Sequence, residues 1–281
     1  MIVEAPQSPP FRAALVQLRS GRNVDANVAA AGTLIRAAAA AGAHYVQTPE
    51  VTTLMDTDLE NLFAQSAPET GNRALAAFTS LARELKIWLH IGSMGIRLGE
   101  RIANRSYVIG PDGEIRARYD KIHMFDVKLA NGESYQESAS YAPGDQAVIA
   151  DLPWGKLGLT ICYDVRFPAL HQALAHAGAQ FIAVPAAFTR STGEAHWHTL
   201  LRARAIETQC FVFAAAQGGR HEHGRETYGH SLIISPWGTI LAEAGTEPGF
   251  ITADIDPAEV AAVRGRIPCL QNMRPFTIAH R

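Results

Sequence analysis

Four polar residues stand in settings where side chains do chemistry. Cys162 closes the apolar run Leu-Thr-Ile-Cys and opens Tyr-Asp-Val-Arg-Phe-Pro. A strand that ends in cysteine and turns into a helix holds the thiol at a sheet rim, beside the N–H groups of the turn and the positive end of the helix. Such a place can lower a thiol pKa and supply a donor to an oxyanion. The competing reading is a buried structural cysteine, a common fate for this residue type. Glu50, in Val-Gln-Thr-Pro-Glu, follows a proline that must end a strand ladder. Its carboxylate could serve as a general base, or it is a surface glutamate at the start of a loop. Lys121, in Tyr-Asp-Lys-Ile-His, comes just past a strand. There it could set a fixed positive charge beside a developing oxyanion, or simply face water. Glu137, in Tyr-Gln-Glu-Ser, is a fourth candidate whose alternative is a solvated loop carboxylate. Together the four fit one reaction. Amide hydrolysis through a thioester needs a thiolate, a proton acceptor that later donates, and positive charge at the oxyanion.

The elements that must position these groups alternate between short strands and helices. Residues 11–18 read as a first strand, and the alanine-rich stretch 23–41 reads as a helix ended by Gly42. Residues 44–47 form a short strand that delivers Glu50. A helix over 71–85 and a buried strand over 87–92 follow. Residues 103–110 and 114–119 make a hairpin around Pro-Asp-Gly, which delivers Lys121. The polar stretch 120–144 lacks periodicity and reads as a long functional loop. A second hairpin, 146–152 with 156–161, turns at Pro-Trp-Gly and delivers Cys162. Helices are expected over 167–176 and 194–208, and strands over 181–184 and 210–216. Residues 218–229 read as a polar loop. A third hairpin, 230–235 with 239–243, turns at another Pro-Trp-Gly. A last strand at 250–255 leads to a short helix with Asp256 as cap and Pro257 at its first position. Residues 1–10 read as a loose leader without the basic and apolar regions of a signal peptide. Hairpins interleave with crossovers over 11–281, without a linker-like stretch, so a single domain with a C-terminal tail is expected. Its class is α/β, a mixed sheet system covered by helices.

Composition narrows the function further. The 281 residues are 47% hydrophobic and 19% charged, with a net charge of −2. That is a globular chain without the basic excess that nucleic acid or an anionic membrane would attract. No apolar run approaches the roughly 18 residues of a membrane span. Three cysteines are too few for a disulfide framework and suit a reducing, cytoplasmic setting. Eleven histidines invite a metal reading. Yet His196 and His198 lie two apart on a predicted helix and face different ways, and His221 and His223 flank Glu222 in a loop. Neither Cys-x-x-Cys nor His-Glu-x-x-His spacing occurs, so no metal is expected. The chain has no Gly-x-Ser-x-Gly elbow and no phosphate loop. A Cys-His-Asp hydrolase stays open, with Cys162 served by a histidine and Glu50 dispensable.

The ordered set Pro-Glu50, Lys121-Ile-His, Glu137 and Cys162-Tyr-Asp-Val-Arg-Phe-Pro resembles the nitrilase superfamily over residues 11–275. The segments His196–Gln209, Ala214–His221, Tyr228–Ser231 and Pro236–Gly238 look like its Nit branch. The resemblance implies a four-layer αββα sandwich, a Glu-Lys-Cys site without metal or organic cofactor, and homodimers joined through helices, one of them following the nucleophile. By position it implies Glu50 as base, Lys121 as oxyanion stabiliser, Cys162 as nucleophile and Glu137 as support for the lysine and the substrate. The Tyr163 backbone N–H would be the second oxyanion donor. The implied substrate is a small carboxylated amide, deaminated glutathione ahead of α-ketoglutaramate, cleaved to a carboxylate and ammonia. A nitrile, a carbamoyl amide and an inactive scaffold of the same fold stay open. For substrate contacts, Phe188 could form an apolar wall. Arg220 and His221, in a basic cluster with His223 and Arg225, could meet a substrate carboxylate or lie in a solvated loop. Asp164 and Arg166 are expected to form an ion pair that shapes the turn.

Overall fold

The computed structural model describes residues 8–129 and 132–280. The first seven residues of the expected leader lie outside the described residues. Strand β1 (Phe11–Gln17) divides its side chains between two interiors. Ala13 and Leu15 join a core with Phe181 and Phe213, whereas Ala14 and Val16 pack with Ala31 and Ile35 of helix α1 (Val24–Ala40). Both faces of this strand are covered, which is why Ala13–Val16 are all apolar. Helix α1 starts at Asn23, whose side chain accepts the Ala26 N–H, and buries the stripe Ala31, Ile35, Ala38. After it come β2 (Tyr45–Gln47), α2 (Leu59–Gln65), α3 (Arg73–Leu85), β3 (Trp88–Leu98), β4 (Arg101–Ile109) and β5 (Ile115–Asp120). A small excursion carries β6 (Asp126–Lys128), paired with β7 (Ser134–Gln136), and β8 (Tyr141–Ala142), which joins β4.

The second half of the chain supplies β9 (Val148–Leu152), β10 (Gly155–Leu159), α4 (Pro168–His176), β11 (Phe181–Ala183), α5 (Arg190–Thr208) and β12 (Phe211–Ala214). The hairpin of β13 (Gly218–Arg220) and β14 (Glu226–Tyr228) precedes β15 (Leu232–Ile234) and β16 (Ile240–Glu243). Finally β17 (Gly249–Ile255) returns to lie antiparallel on β1, and α6 (Ala258–Arg266) closes the regular structure.

Two sheets result, ordered β17-β1-β2-β3-β4-β5 and β16-β15-β12-β11-β10-β9. They share one plan: three parallel strands (β1, β2, β3 in one, β10, β11, β12 in the other) flanked by antiparallel neighbours. The sheets meet face to face through aromatic contacts. Phe11 stacks on Trp154 at 4.2 Å, and Tyr45 and Phe181 lie 5.4 and 5.7 Å from Phe213. Helices α1 and α3 cover the outer face of the first sheet, and α4 and α5 cover the second. The αββα sandwich expected from the resemblance is the observed architecture.

Residues 51–70, for which the sequence carried no reading, contain α2, whose cap Asp58 accepts the N–H groups of Glu60 and Asn61. Two expectations need correction. The polar stretch 120–144 holds a hairpin and a 3₁₀ turn over Glu137–Ala139, too short for any periodicity to register. The polar loop 218–229 is likewise a hairpin, hidden because two glycines and two charged residues populate its strands. Among the described residues, no helix is long and apolar enough to cross a membrane.

Candidate active site

The ends of strands from both sheets converge on one cavity of about 290 Å³. Glu50, Lys121, Glu137, Cys162, Tyr163 and Phe188 all line it. Glu50 follows β2 and is 5% exposed. Its position is imposed by the turn behind it. Val51 adopts φ 49°, a left-handed value that a β-branched residue avoids, and its N–H is held by Ser93 Oγ at 2.8 Å. Gly92 allows the two sheets to close there. A Cβ on it would lie 2.1 Å from the Thr48 carbonyl oxygen and 2.5 Å from Pro185 of the opposite sheet.

Cys162 leaves β10 at φ 50°, again left-handed, and its N–H donates to Pro185 O at 2.9 Å. The strained elbow is clamped by buried Asp164, which accepts from the Ile161 N–H at 2.8 Å, the Tyr119 hydroxyl at 2.7 Å and the His123 N–H at 3.1 Å. Asp164 thus shapes the turn, but not through Arg166. Arg166 instead reaches His196 at 3.3 Å and lies over the Phe188 ring. Tyr163 occupies the first turn of the 3₁₀ segment Cys162–Arg166, where an N–H has no partner within the turn itself.

Lys121 is 2% exposed, and its Nζ donates to Glu50 Oε1 at 2.8 Å and to Glu137 Oε2 at 2.8 Å. Asn104, a buried amide in the middle of β4, ties the same carboxylates from the other side. Its Nδ2 donates to Glu50 at 3.0 Å and to Glu137 at 3.1 Å. The second oxygen of Glu50 accepts the Ala187 N–H at 2.8 Å, and that of Glu137 accepts the Phe125 N–H at 2.7 Å. Sequence reasoning missed Asn104 and Ala187. An asparagine in the middle of a strand, a residue type that strands disfavour, was the available signal for the first, and a backbone donor such as the second leaves none.

Burial works against all three charged forms, and the neighbours decide the outcome. Glu50 would be raised by burial, but the Lys121 ammonium outweighs it and holds the carboxyl below its usual range. Burial would lower Lys121, yet Glu137 and Glu50 keep it well above the ordinary lysine value. Burial and the charge of Glu50 push the Cys162 thiol up. The turn was expected to lower this thiol's pKa, and the direction is the opposite. The Cys162 thiol stands beside the Glu50 carboxylate.

Two predicted substrate contacts lie elsewhere. Arg220 is exposed, and His221 is buried in hydrogen bonds to Ser20 O at 2.9 Å and Thr227 Oγ1 at 2.7 Å. Neither lines the cavity, because alternation along β13 and the hairpin turn aim them away. Arg225 of the same cluster does line it. The histidines also sort differently from their sequence pairs. His198 and His230 both lie 2.9 Å from Glu243 Oε1, and none of these three residues reaches the cavity.

A carboxylate, an ammonium and a thiol gathered at strand ends between two such sheets define a hydrolase of the nitrilase kind. The chain belongs to the carbon-nitrogen hydrolase family, whose model matches residues 12–265. It is 40% identical over 265 residues to the deaminated glutathione amidase of Yersinia enterocolitica, covering 93% of this chain and 92% of that one. It is 36% identical to the human omega-amidase, over 94% and 95% of the two chains. The fold superposes on Saccharomyces cerevisiae Nit3, a member of branch 10 of the nitrilase superfamily, with a TM-score of 0.84 and 30% identity over 93% and 96% of the chains. The protein is thus a hydrolase acting on carbon–nitrogen bonds.

Proposed function

We propose that the protein is a Glu-Lys-Cys amidase that cleaves a small carboxylated amide, with deaminated glutathione as the first substrate and α-ketoglutaramate as the second. The observation that carries this reading is the Lys121 ammonium fixed between Glu50 and Glu137 at the wall of the cavity that holds Cys162. Glu50 takes the Cys162 proton as sulfur attacks the amide carbon. The raised thiol pKa makes this transfer unfavourable by itself, so it proceeds with attack, as negative charge moves to the carbonyl oxygen. Lys121 and the Tyr163 N–H hold that oxygen. The C–N bond breaks, and protonated Glu50 delivers its proton to the departing nitrogen. Glu50 then takes a proton from water, whose oxygen attacks the thioester and releases the carboxylate with regeneration of the thiol. Glu137 supports Lys121, and Phe188 forms an apolar wall. No step calls for a metal or an organic cofactor.

A primary amide such as α-ketoglutaramate yields ammonia. Deaminated glutathione has only substituted amides and yields an amine. The deciding assay therefore follows the acid product, across deaminated glutathione, α-ketoglutaramate, glutamine, a simple aliphatic amide and a nitrile. Turnover of deaminated glutathione above the rest, abolished in Cys162→Ala, is the expected result. Preference for α-ketoglutaramate keeps the mechanism and changes the substrate. Activity that survives Cys162→Ala, or none with any compound, overturns the reading. The same reading takes residues 11–281 as one domain that works in a reducing cytoplasm, in keeping with three free cysteines. It places a homodimer on α4 and α5, beside which Ile206 and Trp237 lie exposed.

A further inference from the structure

The walls of the cavity carry five charged side chains among the described residues: Glu50, Asp56, Lys121, Glu137 and Arg225. Four already have a charged partner in place. Lys121 joins both glutamates, and Asp56 pairs with Arg22 at 2.8 Å. Arg225 has no carboxylate partner among the described residues. It leaves the turn of the β13–β14 hairpin, and its Nη2 donates to Ala187 O at 2.7 Å. Its guanidinium lies over the Tyr135 ring, 4.9 Å from the centroid, and its buried Nε has no hydrogen-bond partner. A guanidinium has five N–H donors, so most of its capacity is unspent. An unpaired charge held against a cavity wall is costly unless something else completes it.

The residue that fixes Arg225 also fixes the proposed base. Ala187 offers its N–H to Glu50 Oε2 and its carbonyl to Arg225 Nη2. Two hydrogen bonds and one residue of backbone separate the two side chains, so their polar atoms are no more than about 9 Å apart. A carboxylate seated on Arg225 would therefore belong to the same small substrate whose amide reaches Cys162.

We propose that Arg225 is the specificity residue of this site, binding the carboxylate at the far end of the acyl chain and so selecting dicarboxylic acid monoamides over neutral amides. This rests on the amidase reading and deepens it. The acyl-end carboxylate stays on the enzyme through the thioester, so Arg225 holds the substrate in both halves of the reaction. The departing amine can then vary in size without losing this anchor. Tyr135, from the β6–β7 hairpin, packs its ring on the planar guanidinium at the cavity wall.

The test compares glutaramate, the five-carbon monoamide, with butyramide, which lacks the second acid group, in wild type, Arg225→Met and Arg225→Lys. Arg225→Met is expected to lose about 10²-fold in kcat/KM for glutaramate, chiefly through KM, and far less for butyramide, so that the preference for the acid-bearing amide collapses. Arg225→Lys should recover part of the loss, because it keeps the charge without the fork. Equal losses on both amides, or no loss on glutaramate, would overturn the proposal. A binding arm keeps it independent of turnover. Calorimetry of glutarate with Cys162→Ala, with and without Arg225→Met, should show affinity falling at least about 10-fold with Arg225 removed. If wild type hydrolyses nothing while this difference persists, the amidase reading fails and the carboxylate site stands. If binding is indifferent to Arg225, the carboxylate site fails whatever the turnover.

Discussion

Glu50, Glu137 and Lys121 together carry one more negative charge than positive, in a place nearly closed to water. Burial first, and the Glu50 charge after it, push the Cys162 thiol pKa up. Glu137 matters through Lys121: it stops the ammonium from pairing with Glu50 alone and sets where Nζ points. Glu137→Gln should lower kcat by about 10–100-fold with a smaller change in KM, as read from initial rates on the preferred amide. A loss confined to KM would assign Glu137 to binding instead. At this scale the sequence was legible where a reactive side chain sits at the end of a strand, as with Glu50, Lys121 and Cys162. It was illegible where the partner is a backbone group, as with Ala187. It misled in the basic cluster, because a run of two arginines and two histidines cannot say which of them turns inward. Only the hairpin pairing of Arg220 with Glu226 separates outward Arg220 from cavity-facing Arg225.

Strand ends rather than whole elements bring the two halves of the site together, and Gly92 on β3 marks the seam. Its missing side chain leaves room for Thr48 and Pro49 from one sheet and Pro185 from the other. Gly92→Ala must push backbone apart on both sides, so a destabilisation at or above about 1–3 kcal/mol is expected, measured as a lower urea midpoint. Because Glu50 and Ala187 flank those prolines, the surviving folded fraction should also turn over more slowly. A variant as stable and active as wild type would show that the seam tolerates a methyl group. The long strands and helices were readable because their apolar stripes or turn residues repeat, as in α1 and in the two Pro-Trp-Gly hairpins. The elements that escaped are three-residue strands and the seven-residue α2, where one period is barely completed.

At the scale of the whole molecule, burial favours the neutral form of three histidines among the described residues, His90, His171 and His221. Burial lowers His90 to about 3, and His171 and His221 to about 4. Unfolding releases them to values near 6.5. The unfolded chain then binds more protons than the folded one below that pH, so stability falls as pH falls from about 6.5 toward 4. Each such proton contributes about 1.4 kcal/mol per pH unit, giving up to about 4 kcal/mol per unit near pH 5. Urea unfolding at pH 7, 6 and 5 checks the slope, and His90→Gln should reduce it by one proton. A flat profile over that range would mean that these rings are not held neutral. The sandwich itself could be anticipated only through family resemblance, since strand order depends on long-range pairings such as β17 on β1 that no local pattern records. That last pairing has a consequence for how the protein comes to life. The proposed base and the proposed nucleophile hang from different sheets, and the final strand of the chain must travel back to complete the first. A chain whose two sheets have not yet docked therefore holds the proposed base and the proposed sulfur apart, so the site as proposed is completed by the docking of the sheets.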